Sequence, residues 1–120
     1  MSTDRHDGRI GFAVIGRNEG DRLHLCLRPL LAASAQVVYV DSGSTDGSVE
    51  LARTLGTIAI SLDDSAPHSA ARGRNTGFDE IRRRFPGVEY IQFIDGDCVL
   101  EPGWVDLATK FLDANPQAAV

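Results

Sequence analysis

The chain lacks a long apolar run, an excess of positive charge and a secretory signal. No stretch of its 120 residues is apolar enough to cross a bilayer, and residues 1–9 contain no apolar segment. Lysine occurs only at position 110, and 12 basic against 17 acidic residues give a net charge of -5. This balance argues against sequence-independent binding of nucleic acid. We expect a cytoplasmic protein, with any membrane association made by parts outside this sequence.

Cysteine is scarce, and several well-known nucleotide-binding motifs are missing. Cys26 and Cys98 are far apart and form no CxxC pair, so we expect two buried thiols in a reducing compartment and no structural zinc. There is no GxGxxG fingerprint and no Walker A lysine. Dinucleotide binding and P-loop chemistry are therefore disfavoured.

Short apolar runs alternate with segments of helical periodicity. With 42% hydrophobic residues, the chain has enough apolar material for one compact domain. After a flexible tail at 1–9, strands are predicted at 10–15, 36–40, 57–60 and 89–94. Helices are predicted at 21–33, 46–55, 69–85 and 103–114, with Pro29 expected to kink or end the first and Asp46 to cap the second. Residues 118–120 resemble the start of another strand, so we expect a truncated chain.

This alternation predicts an α/β fold, a three-layer Rossmann-like arrangement around a mainly parallel sheet. In such sheets, ligands bind beyond the carboxyl ends of the strands. Acidic residues follow all four predicted strands, whereas the amino ends are less uniformly charged. The sequence therefore predicts a binding site at one rim of the sheet.

The most specific motif is Asp95-Gly96-Asp97, which leaves the end of the fourth apolar strand. Gly96 allows the backbone to turn and to approach a ligand closely. Two neighbouring carboxylates repel each other unless a cation or proton compensates, and Mg²⁺ or Mn²⁺ would do so while bridging to phosphates. The alternative is a solvated turn in which Asp97 caps a nearby element.

Two further segments fall at the predicted rim. Residues 41–48 form a strand-to-helix turn of small and hydroxyl residues that suits a nucleotide base or ribose, or simply caps the helix. Asp41, at the strand end, is not explained by capping. Residues 71–77 begin the third helix, where amide groups and arginine side chains favour a diphosphate. A solvated helix face is the alternative for Arg72 and for Arg74.

Four segments in this order resemble the family 2 glycosyltransferases: 15–19, 40–46, 71–77 and 94–97. The resemblance implies the GT-A fold, with residues 10–120 as its nucleotide-sugar-binding domain and the acceptor half missing. It implies an inverting transfer of sugar from a nucleoside diphosphate sugar to an acceptor hydroxyl. The implied nucleotide-sugar contacts are Arg17, Asn18, Glu19, Asp41, Gly43, Arg74, Asp95 and Gly96. The implied metal ligands are Asp97 and Asp95, with Asp95 also near the ribose.

The sequence departs from the family where Gly16-Arg17 replaces a proline-containing loop and where Ser42 replaces an aspartate. The family's general base lies in the later half, so the resemblance implies that it lies beyond residue 120. A non-catalytic nucleotide-binding module is one alternative. A haloacid-dehalogenase-like phosphotransferase, with Asp95 as nucleophile, is another. An exposed sheet edge would also permit a homodimer.

Overall fold

The computed structural model describes residues 9–33, 36–101 and 103–115, and within them strands and helices alternate as predicted. The elements are β1 Ile10–Gly16, α1 Asp21–Ala33, β2 Val37–Asp41, α2 Ser48–Thr54, β3 Ile58–Ser61, α3 Ala70–Arg84, β4 Tyr90–Asp95 and α4 Trp104–Ala114. The strand predicted at 118–120 lies outside the described residues, as do residues 1–8 of the predicted tail.

The sheet has the order β3-β2-β1-β4, and all its described strand pairs are parallel. One face packs against α1, α2 and α4 through a core that includes Phe12 and Leu27, and the other face packs against α3 through Ile81. The prediction of a three-layer α/β fold is therefore confirmed. The register pairs Gly16 with Asp41 and Ile15 with Asp95, so the carboxyl ends of three strands meet at one rim.

Helix α3 packs against the sheet through an inner face that contains two glycines. Gly73, Gly77 and Ile81 follow one another at intervals of four residues, which places them on one face, and all three are buried. A Cβ atom added at Gly77 would lie 2.8 Å from the Cβ of Ala13 on β1. The two glycines thereby fix the depth of the helix against the sheet.

One prediction about a helix end needs correction, and one is met. Helix α1 has its predicted bounds and continues through Pro29 to Ala33, with Leu27 and Leu30 buried in the core. Asp46 does not cap α2: Gly47, with φ +85°, occupies the N-cap position. The Asp46 carboxylate instead accepts hydrogen bonds from the amide and hydroxyl of Ser48, at 3.1 and 2.5 Å. None of the described helices is long and apolar enough to span a membrane.

The two cysteines are in different surroundings, which corrects the expectation that both are buried. Cys26 on α1 is buried, and this burial, more than nearby negative charge, raises the pKa of its thiol to about 12. Cys98 follows β4 and is exposed, because the chain turns there at the rim. Both are free thiols.

The outer edge of β4 borders an apolar groove of about 740 Å³ between α3 and α4. Its walls include several partly exposed apolar side chains, namely Phe78, Phe93, Trp104, Leu107 and Phe111. At one end of β4, Arg9 forms ion pairs with Glu89 at 3.3 Å and with Asp113 at 2.6 Å. Arg9, which the sequence assigned to the tail, is thus joined to the fold.

Candidate functional site

The loops after β1 and β2 interlock at the rim through reciprocal hydrogen bonds. The amide of Asn18 donates to the hydroxyl of Ser44, and the amide of Thr45 donates to the side-chain oxygen of Asn18, both at 2.8 Å. Asn18 adopts φ +51°, a left-handed conformation that asparagine tolerates better than most residues. The amide of Gly20 also donates to Asp46, at 3.0 Å. Two of the predicted segments are therefore held as one surface.

Asp41 is buried beneath this surface and holds the β2–α2 loop through hydrogen bonds. It is only 2% exposed, and one carboxylate oxygen accepts from the hydroxyls of Tyr39 and Ser44, at 2.6 and 2.5 Å. The other oxygen accepts from the amide of Ser44, at 2.7 Å. Burial, followed by the Asp41 hydrogen bond, raises the pKa of Tyr39. The contact between Asp41 and the nucleotide sugar that the resemblance implies stays a prediction, whereas the hydrogen bonds of Asp41 to Tyr39 and Ser44 are direct.

Tyr39 belongs to this network, although no sequence motif pointed to it. Residues i and i+2 of a strand point to the same face, so Tyr39 and Asp41 were bound to share a side of the sheet. A buried tyrosine hydroxyl requires a hydrogen-bond partner. This spacing was the available signal.

The turn after β4 lies directly against the β1 loop. The amide of Gly96 donates to the carbonyl of Ile15, at 2.8 Å. A Cβ at Gly96 would approach the Cγ of Glu19 to 3.1 Å and the Cα of Gly16 to 3.5 Å. The side chain of Glu19 is 16% exposed and forms an ion pair with Arg22, at 3.3 Å. Gly96 thus brings the turn next to the predicted nucleotide loop.

Asp95 and Asp97 are both exposed on either side of the buried Gly96. The amide of Cys98 donates to the carbonyl of Asp95, at 3.0 Å, which closes the turn. Among the described residues, no group of three or more His, Cys, Asp and Glu side chains is placed to hold a metal. Mg²⁺ commonly uses one or two protein carboxylates and completes its coordination with phosphate oxygens and water. Two exposed carboxylates are the number and kind of protein ligands that such an ion takes.

Helix α3 begins at the same rim, and the two arginines of its first turns have different surroundings. Arg72 donates to the carbonyls of Asp63 and Ala66, at 2.9 and 2.8 Å, and to the Asp63 carboxylate, at 2.8 Å. Arg74 is exposed and has no hydrogen bond or ion pair within the described part of the chain. Arg17, in the β1 loop, is likewise exposed. Arg74 is therefore free to bind an anion, whereas Arg72 is occupied with its own loop.

The loop between β3 and α3, residues 62–69, contributes His68, which the sequence did not select. One ring nitrogen lies 3.3 Å from the Ser42 hydroxyl and the other lies 2.9 Å from the Asp63 carbonyl. The pKa of Asp63 falls to about 2, chiefly through the hydroxyl and then the amide of Ser65, with Arg72 next. Only the position of His68 before α3, near the predicted rim, pointed to it.

Comparison with known proteins shows which protein family this chain belongs to. The family model described as Glycosyl transferase family 2 matches residues 12–120. The chain belongs to this family.

A curated relative is glycosyltransferase AglE of Haloferax volcanii, which is 30% identical over 98 residues. The alignment covers 74% of this chain and 30% of the relative, so the chain spans about a third of that protein's length. The family match favours a sugar transferase over a haloacid-dehalogenase-like phosphotransferase.

Proposed function

We propose that this chain is the donor-binding part of an inverting glycosyltransferase that uses a nucleoside diphosphate sugar. The observation that carries the proposal is the convergence of three interlocked loops at one rim. The β1 loop carries the exposed Arg17, is bonded to Ser44 on one side and contacts the turn of the exposed Asp95 and Asp97 on the other. Arg74 is exposed on the first turns of α3, at the same rim.

Different residues of the site would bind different parts of the nucleotide sugar. Asn18, Glu19 and Gly43 face the base and ribose from the first two loops, with Asp41 holding those loops in place. Arg74 binds the diphosphate, because a guanidinium offers forked donors to phosphate oxygens. Asp97 and Asp95 would hold Mg²⁺ or Mn²⁺, which when bound would neutralise charge on the departing diphosphate. Asp95 also lies on the ribose side.

The reaction itself is a displacement at the anomeric carbon. The acceptor hydroxyl forms a new bond to that carbon from the face opposite the diphosphate, the bond to the diphosphate oxygen breaks, and the configuration inverts. Arg74 stabilises the negative charge that gathers on the leaving group. The hydroxyl proton passes to a general base, which we place outside residues 1–120 together with the acceptor site. Turnover by this chain alone should therefore be small.

The proposed donor site should bind a nucleotide in the presence of a divalent metal. Calorimetry with UDP and with GDP, each with Mn²⁺, should show binding of at least one nucleotide by the chain. Asp97→Ala should weaken that binding by about tenfold or more, equivalent to roughly 1.4 kcal/mol, because it removes a carboxylate from the cation.

Removal of the metal with a chelator should weaken binding to a similar degree. Asp79→Ala removes an exposed carboxylate from the middle of α3 and is the matched control, so its affinity should stay at the wild-type value. Failure of the wild-type chain to bind either nucleotide would overturn the proposed function. Unchanged affinity in Asp97→Ala would overturn the metal assignment.

We propose a cytoplasmic location and, for this chain in isolation, a homodimer. Free thiols at Cys26 and Cys98 support a reducing compartment. Among the described residues no strand pairs with the outer edge of β4, and the apolar groove beside it is a surface that a second copy can cover about a twofold axis. Light scattering should show a mass that doubles as concentration rises, and Leu107→Glu should keep the chain monomeric. A wild-type mass independent of concentration would contradict the dimer.

A further inference from the structure

The β3–α3 loop is fastened to the start of α3 at several points. Arg72 binds two carbonyls and one carboxylate of the loop, as described above. The hydroxyl of Ser69 accepts from the amide of Arg72, at 3.1 Å, and so caps the helix. These hydrogen bonds fix the position of the loop relative to the helix end that carries Arg74.

His68 extends from this loop to the β2–α2 loop. Its side chain is 21% exposed, with Nδ1 facing Ser42 and Nε2 facing the carbonyl of Asp63 and, at 3.2 Å, the carboxylate of Asp64. A Cβ added at Gly43 would lie 3.3 Å from ring atoms of His68, so glycine lets the ring pack on the backbone. The imidazole thus fills the space between the two loops.

The partners define the hydrogen-bonding pattern of the neutral ring. A carbonyl oxygen only accepts, so Nε2 must carry the proton that is donated to Asp63. Nδ1 then accepts from the hydroxyl of Ser42. Both ring nitrogens have partners in this arrangement, which leaves neither free to act as a base. The geometry therefore fits a positioning role.

We propose that His68 is a positioning residue that sets the spacing of the donor site and contributes to the choice of nucleotide base. It joins the loop proposed to hold base and ribose, through Ser42 and Gly43, to the helix end that presents Arg74 to the diphosphate. This inference rests on the proposed function, since it assigns spacing to the same nucleotide site. Nucleotides with purine and pyrimidine bases differ in size and respond unequally to that spacing.

The test measures the affinities of UDP and GDP, with Mn²⁺, for variants of His68. His68→Ala should weaken the better-bound nucleotide by about fivefold, the effect of one hydrogen bond, and should change the ratio of the two affinities. His68→Asn keeps a donor and acceptor near the Nδ1 position and should restore the ratio. His68→Gln reaches toward the Nε2 position instead and should not. Ser42→Ala combined with His68→Ala should add little to the loss from His68→Ala, because both act through one contact.

His24→Ala removes a histidine from α1 and is the matched control, expected to leave both affinities unchanged. Thermal unfolding and ¹⁵N spectra of the His68 ring give readouts that need no nucleotide. An Nδ1 signal that shifts in Ser42→Ala supports the bridge. If wild type binds and His68→Ala has the same affinities and ratio, the inference is overturned while the proposed function stands. If wild type binds neither nucleotide, the proposed function fails first.

Discussion

Replacement of Gly77 by valine should lower the free energy of unfolding by about 3 kcal/mol, the upper end of the cost of overpacking a core. A Cβ at this position would lie 2.8 Å from the Cβ of Ala13 and 3.4 Å from a methyl carbon of Val40. Both neighbours are fully buried on the two central strands, so neither can move into solvent. Valine adds two further methyl groups, and the helix must therefore shift away from the sheet.

Gly77→Ala is a milder variant, in which two effects of opposite sign act on the free energy of unfolding. Alanine raises the helix propensity by about 1 kcal/mol over glycine, whereas the clash with Ala13 costs more. We expect a net loss of roughly 1 kcal/mol, measured by urea unfolding. Asp79→Ala on the exposed side of the same helix is the control and should change stability by at most about 0.5 kcal/mol. If Gly77→Ala equals or exceeds the wild-type stability, the close packing of α3 is not a constraint.

The order and type of the elements were predictable from the sequence because hydrophobic periodicity depends on burial. The strands of the sheet are short apolar runs, and α3 has a clear boundary at Pro86-Gly87. The ends of elements were harder to place. Asp46 was expected to cap α2, whereas Gly47 occupies that position and Asp46 accepts from Ser48 instead. The conformation of a short loop decides such details, and periodicity does not report it.

The site was predictable to the level of which loops meet, since carboxyl ends of parallel strands must lie on one rim. The residue pattern alone did not distinguish Arg72 from Arg74, because both are arginines at the start of the same helix, and only the family resemblance selected Arg74. The distinction arises from the β3–α3 loop, whose carbonyls happen to fold back onto Arg72. Such contacts depend on the path of a loop, which no periodicity describes.

For Asp41 too, the position was predictable from the sequence but some of its side-chain contacts were not. Its place at the end of β2 was predictable, and so was its exclusion from helix capping. Its burial beneath Ser44 was not, because that depends on how the β1 loop closes over it. A motif match transfers the position of a residue, but the partners of its side chain come from the fold.

Replacement of Asp41 by alanine should therefore have the second large effect, a loss of about 3 kcal/mol in the free energy of unfolding. The buried hydroxyl of Tyr39 and the amide and hydroxyl of Ser44 would all lose their acceptor. The Ser44 hydroxyl also accepts from Asn18, so the variant should loosen the joined loops and weaken nucleotide binding by roughly tenfold. Urea unfolding and calorimetry measure the two effects.

Tyr39→Phe is the matched comparison, because it removes one donor and leaves Asp41 bound to Ser44. We expect a loss of about 1 kcal/mol near neutral pH, the value of one hydrogen bond. The folded chain raises the pKa of Tyr39 above the value of about 10 found in unfolded chains. Above that pH the unfolded chain releases the proton while the folded chain keeps it, so the stabilisation is complete below pH 10 and declines as pH rises.

The advantage of wild type over Tyr39→Phe should accordingly shrink by about 1 kcal/mol between pH 10 and pH 11. Because Cys26 and the other alkaline groups are common to both proteins, the difference between them isolates the Tyr39 hydroxyl. A difference that stays constant through pH 11 would mean that the hydroxyl ionises equally in both states, and the buried bond to Asp41 would be contradicted. A shrinking difference, together with a larger loss in Asp41→Ala, would establish that the aspartate supports the donor loops from beneath.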